Sequence, residues 1–333
     1  MLAQLYVQLS FVLVVPEGVG FPVYEYTDQG YTVRAMPPGK SDSDKIFQDL
    51  DGLQINGQAA YQADVLNLIF AKEEFNRAAG ALCDPPESVI QQALDSFLAR
   101  LRFVTKAPQI RPVKFPAIPW RLNYLNDDGS ALPEEKDKVR GRGSYVFSFQ
   151  LLALDQQIWE KIHELPADFR APPWEDLLLD AQAELPAIGP ALVLAATSVE
   201  VFIAHVLDQL VVRTPIPSPL WNWINDRDQW LQEPSVEEQM DTLLLIIAGH
   251  SLKEDLPLWE AFKNLKTARN GFVHSGVACV GGKPVDLNTA MKLVAGARSV
   301  IDRVHDWLPK ELQWPHYDLG VAVTATHKVK MEK

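Results

Sequence analysis

Near residue 150 of this 333-residue chain the spacing of apolar residues changes from two to 3.6. This change constrains the fold more than any other feature. A period of two lays side chains alternately on the two faces of a strand, whereas a period of 3.6 lays them in a stripe along a helix. From there on the helical period prevails, so a strand-bearing part should precede a helical one. The length suits two domains. The expected fold class is α+β. A mixed α/β N-terminal domain of unknown role spans 1–150, an all-α helical bundle spans 151–310, and a short irregular tail spans 311–333.

The opening MLAQLYVQLSFVLVV is apolar enough to suggest a leader, but no basic residue precedes it and no small-residue cleavage site follows. Leu5, Val7, Leu9, Phe11, Leu13 and Val15 alternate, in the first part, with Gln4, Gln8 and Ser10, which predicts a strand with one buried face over Leu5–Val15. Further strands are expected at Tyr31–Ala35, Asp64–Phe70, Trp120–Leu125 and Tyr145–Phe149, punctuated by the turn signals PEG, PPG, DG, NG and DDG. PESVIQQALDSFLARLRFV contains a helix: Pro85 and Pro86 stand at its start, and Val89, Ala93, Leu94, Phe97, Leu98 and Leu101 form one stripe. The charged segment 133–143 reads as a solvated loop, and its basic end, Lys136 to Arg142, is the one local cluster suited to a phosphate backbone. Trp120, Tyr124 and Tyr145 have the chemistry to stack bases, although aromatics on half-buried strands usually fill cores.

Helices are expected at Leu151–His163, Trp174–Leu185, within IGPALVLAATSVEVFIAHVLDQLVV, at Leu220–Leu231, Val236–Ala248, Leu256–Arg269 and Leu287–Leu308. No stretch is expected to span a membrane. His205, on the long apolar helix, reads as a satisfied buried or interface group. The net charge is −12, of which residues 1–150 carry 15 basic and 18 acidic side chains, or −3, leaving −9 for the rest. That balance disfavours a broad grip on nucleic acid but permits one local phosphate site. Cys83 and Cys279 have no neighbouring ligand spacing, so neither a metal nor another cofactor is expected, and so few thiols suit a reducing cytoplasm.

The most polar constellation in the helical part is NLKTARNGFVHSG, residues 264–276. Lys266 and Arg269 are three apart and share a helix face. Gly271 is a natural helix terminator, and a break there would let His274 fold back toward Arg269. In one reading the cations complement the helix C-terminal dipole and His274 caps it. In the other, arginine offers paired donors to phosphate, histidine moves a proton near neutral pH, and Asn270 orients one of them. These are the needs of RNA cleavage by the adjacent 2′-hydroxyl.

RNGFVH, at 269–274, resembles the Arg-x4-His signature of the HEPN superfamily, with the asparagine that often follows the arginine. WEDLLLDAQAEL followed by LVLAATSVEVFIAHVL resembles that family's first two long helices, and the likeness covers roughly 170–308. It implies an all-α bundle, commonly a homodimer, acting as a metal-independent endoribonuclease in toxin–antitoxin, phage-defence or RNA-processing systems, with an antitoxin or defence partner. Some such domains instead bind a nucleotide or a partner protein, or only dimerise as a scaffold. By resemblance Arg269 would hold the scissile phosphate, His274 would act as general acid or base, Asn270 would orient one of them, and Lys266 would add positive charge. Glu200 enters by helix order alone, as a supporting group or as a structural acid paired with Arg269 or His274.

Overall fold

The computed structural model describes residues 2–28, 30–40, 52–71, 85–130, 139–141, 151–166, 168–225, 233–317 and 323–324. The expected strand Tyr145–Phe149, most of the charged loop, the tail end and Cys83 lie outside them. The chain forms two compact units: Met1–Arg170 with Tyr317–Lys333, and Ala171–His316. The division thus falls about 20 residues beyond the expected 150, and the tail belongs with the first unit, not at the end of the second.

In the first unit, β1 (Leu2–Pro16) is the central strand of a largely antiparallel sheet. It pairs with β5 (Gln58–Ala71) on one side and β6 (Trp120–Leu125) on the other. The alternating residues behave as the pattern demands, since Leu5, Val7, Leu9, Phe11, Leu13 and Val15 are all buried. Val12 and Val14 are buried too, so this end of β1 is covered on both faces. β2 (Tyr24–Asp28) and β3 (Tyr31–Gly39) form a hairpin whose second strand joins β5. β4 (Gln54–Ile55) and β7 (Val139–Gly141) extend the two edges. Helix α1 (Glu87–Thr105) buries the expected stripe and ends at Lys106 in the left-handed conformation.

The expected helix Leu151–His163 splits. Leu151–Ala153 forms β8, parallel to β1 at Val12–Val14, and α2 runs Gln156–Glu164. Asp155 decides the start, because its carboxylate accepts from the Ile158 amide and caps the first turn. Tyr124 is core, as strand aromatics usually are.

The second unit is built around α4 (Ile188–Val211), against which α3 (Pro173–Glu184), α8 (Leu256–Ser275) and α9 (Leu287–Trp307) pack. α4 is long and apolar enough to cross a membrane by length and composition, but 56% of its most apolar stretch is buried inside the protein, as in a core helix. Here Leu192, Val199, Phe202, Ile203 and Val206 are buried in the unit's core, with Leu265 of α8 and Val300 of α9. α5 (Ser218–Ile224) is shorter than expected, and residues 226–231 of its expected range lie outside the described ones. The segment 236–248 is helical throughout: α6 (Val236–Glu238), a π turn at Gln239–Leu243, then α7 (Leu244–Ala248).

The unit is not purely helical. β9 (Cys279–Val280) and β10 (Lys283–Pro284) make a small hairpin between α8 and α9. Its two-residue loop is Gly281–Gly282, both at positive φ, which is the backbone a tight hairpin requires. The tail also has order: β11 (Val323–Thr324) pairs with β4.

Candidate functional site

The expected break at Gly271 does not occur. α8 continues to Ser275, and Gly276, at φ 74°, is the left-handed cap, its amide donating to the Phe272 carbonyl at 2.8 Å. Gly271 has another purpose. A β-carbon there would lie 3.0 Å from the Val277 carbonyl oxygen and 3.4 Å from the Cys279 amide nitrogen. Glycine at 271 therefore lets the chain leaving α8 turn back against the helix itself. Sequence alone does not distinguish this close approach from a helix stop, since both require the missing β-carbon.

An unbroken helix separates Arg269 from His274 by about 7.5 Å along the axis and about 140° around it. His274 is exposed and makes no hydrogen bond or ion pair with another described residue. Arg269 is about one-third exposed, and its Nη1 donates to Asn270 Oδ1 at 3.0 Å. Its Nη2 lies 3.9 Å from Glu200 Oε2, at the outer limit of an ion pair, and its Nε is buried with no acceptor. The structure thus brings Arg269, Asn270 and Glu200 together and leaves His274 apart. Between groups this exposed, the Arg269–Glu200 attraction contributes at most about 1 kcal/mol.

Lys266 is also engaged. Its Nζ meets Glu237 Oε1 of α6 at 2.8 Å. Each cation of the motif therefore has a carboxylate beside it, and the local field is far weaker than the motif suggests. Glu237 was not singled out in the sequence. Its proximity arises only when α6 packs near α8.

A second unexpected group is Gly189, in the first turn of α4. The Phe272 ring lies where its side chain would be, with ring carbons from 2.1 Å of an added β-carbon. This contact seats the last turn of α8, which carries His274, against the start of α4. The visible signal was a glycine near the start of an otherwise good helix former, whose usual cost there is about 1 kcal/mol.

Nearby apolar side chains remain uncovered. Val273 and Val277 at the end of α8, and Leu287 and Met291 at the start of α9, are each 42–53% exposed. Of the two alternatives for His205, the buried one is excluded: it is exposed, with its ring 4.9 Å from that of Trp174. Among the described residues no group of three or more His, Cys, Asp or Glu side chains is placed to hold a metal ion. No family model, no curated protein and no solved structure matches the chain.

Proposed function

We propose that the helical unit is a metal-independent endoribonuclease of the HEPN kind, acting as a homodimer in bacterial defence or a toxin–antitoxin system. The observation that carries the reading is Arg269, about one-third exposed and held in place by Asn270. An arginine guanidinium offers paired donors that suit one phosphate through two oxygens. His274, exposed on the next turns of the same helix, is open to a proton-transfer role. In the reaction the ribose 2′-oxygen loses its proton and bonds to phosphorus, and the 5′-oxygen leaves and takes a proton. The products are a 2′,3′-cyclic phosphate and a 5′-hydroxyl. His274 would take the first proton or supply the second. Lys266 would add charge, and Glu200 would steady Arg269. The uncovered residues Val273, Val277, Leu287 and Met291 suit pairing of two copies beside this helix.

One observation favours a second reading. The angular separation of Arg269 and His274, with Glu200 and Glu237 beside the two cations, suits a non-catalytic module that binds a nucleotide or a protein through Arg269. Cleavage of total RNA and expression toxicity, measured for wild type, His274→Ala and Arg269→Ala, separate the two. The ribonuclease reading expects both variants, shown folded and dimeric, to lose roughly 10²–10⁴-fold in cleavage. A wild type that cuts nothing, with Arg269→Ala alone abolishing a binding event, would leave the module.

A further inference from the structure

The two cations on α8 are not equally open to an anion. Glu200 Oε2 of α4 stands 3.9 Å from Arg269 Nη2, at the outer limit of an ion pair. Glu237 Oε1 of α6 stands 2.8 Å from Lys266 Nζ, a direct charge-assisted hydrogen bond. Arg269 is therefore only loosely engaged by its carboxylate, whereas Lys266 already holds one. Both members of the Lys266–Glu237 pair reach solvent, with side chains 34% and 42% exposed, so a phosphate can approach the ammonium without disturbing the core.

Glu237 is not brought to Lys266 by the ion pair itself. Its neighbour Glu238 is committed locally: Glu238 Oε2 accepts from the Ser235 amide at 2.7 Å, and the Ser235 hydroxyl accepts from the Glu238 amide at 3.3 Å, a capping box that fixes the first turn of α6. The next two residues, Gln239 and Met240, are 4% and 0% exposed, and Gln239 Nε2 donates to the Pro234 carbonyl at 2.8 Å. The cap and these buried neighbours hold α6, so the backbone carries Glu237 to its place beside Lys266. A pair this exposed adds little to stability. Its consequence falls on Lys266, because a phosphate that reaches the ammonium must displace a carboxylate already held there.

We propose that Glu237 is a built-in competitor for phosphate at Lys266 and restrains the affinity of the α8 motif for RNA. The inference rests on the phosphate-binding role given to Lys266 in the ribonuclease reading. Arg269, whose carboxylate is farther away, takes a phosphate first. A further phosphate of the strand exchanges with Glu237 before Lys266 contributes to binding. Glu237 is thus a restraining residue that acts through Lys266 and touches no reacting atom.

The test is fluorescence anisotropy of the full chain with a labelled 2′-O-methyl oligouridylate. This strand carries phosphates but has no 2′-hydroxyl to attack, so binding is read without cleavage. Glu237→Gln keeps the shape of the side chain and removes its charge. It should bind the probe about fivefold more tightly than wild type, the equivalent of about 1 kcal/mol for one exposed ion pair. In a Lys266→Met background the same substitution should change affinity by less than about twofold, because no ammonium remains to be released. Glu238→Gln removes an equal charge one residue away and preserves the capping box, and it should also change affinity by less than about twofold. Circular dichroism and sedimentation establish that each variant is folded and keeps the wild-type oligomeric state, and a misfolded Glu237→Gln is replaced by Glu237→Ala. Three results overturn the proposal: no gain of affinity in Glu237→Gln, a gain equally large without Lys266 or in Glu238→Gln, or no binding of the probe by either wild type or Glu237→Gln. Wild type that cuts RNA with no gain in Glu237→Gln refutes the competitor and leaves the ribonuclease. The full Lys266-dependent gain with no RNA cut by any variant refutes the ribonuclease and leaves the competitor.

Discussion

Acid should loosen the first unit through one histidine. His163 of α2 stacks on Tyr24, with ring centroids 4.1 Å apart and planes 6° from parallel, while the Trp159 ring meets its edge at 4.7 Å. Burial first, and then the nearby Arg100 guanidinium, lower its pKa from 6.5 to about 4, with Glu160 opposing weakly. Arg100 is itself 1% exposed and donates to Tyr24 and to the Pro166 carbonyl, so it is held in place beside the imidazole. The folded state therefore keeps His163 neutral at pH values where the unfolded chain protonates it. The stability this represents is fully present above about pH 6.5 and is lost progressively as pH falls to about 4. Linkage sets an upper value of about 2.5 kcal/mol lost by about pH 4.5, and residual exposure of the ring reduces the expectation to about 2 kcal/mol. The perturbation is His163→Phe, which keeps the stack but does not titrate. Urea titrations of both proteins at about pH 7 and about pH 4.5 give the difference between their acid losses, in which other titrating groups cancel. We expect wild type to lose about 2 kcal/mol more than the variant. Equal losses, within about 0.5 kcal/mol, would refute the reasoning and show that His163 is hydrated or that Arg100 moves away.

Three other outcomes are expected. Gly276→Ala should cost about 1 kcal/mol and fray the last turn of α8, because its φ of 74° is the left-handed region, whereas Gly271→Ala should leave amide protection at residues 272–275 in place. Protection lost beyond residue 270 in Gly271→Ala would restore the helix break. Gly189→Ala should cost about 1–3 kcal/mol by displacing the Phe272 ring, seen as a lower urea midpoint with an unchanged slope. Glu175, 1% exposed, is paired with Arg298, and Glu175→Ala should destabilise the helical unit by about 3 kcal/mol; a change under about 1 kcal/mol would show the pair to be expendable.

Much of the fold was legible in the residues. The alternation from Leu5 to Val15 specified a buried strand, and the stripe Ala290, Leu293, Val294, Ala297, Val300, Ile301 and Val304 specified α9. Both signals are local, because a side chain's direction follows from its position along a regular element. The α+β class and the order of the main helices follow from the same local rule. What failed was punctuation. Asp155 caps α2 four residues after the expected helix start, and Gly281–Gly282 turn a hairpin between helices. Both signals were present but were outweighed by the surrounding apolar pattern.

The candidate site divides the same way. The sequence by itself determined that Lys266, Arg269, Asn270 and His274 would lie on or beside one helix, because their spacing is covalent. Only the tertiary structure decided their company. Gly271 could end a helix or admit a neighbouring backbone, and the return of Val277 and Cys279 against α8 selects the second. That choice keeps His274 about 140° around the axis from Arg269. The carboxylates of Glu200 and Glu237 reach the two cations from α4 and α6, elements 69 and 29 residues away in sequence for the pairs Glu200–Arg269 and Glu237–Lys266. Contacts over such separations depend on how whole helices bury their apolar faces, and no periodicity within one segment encodes them.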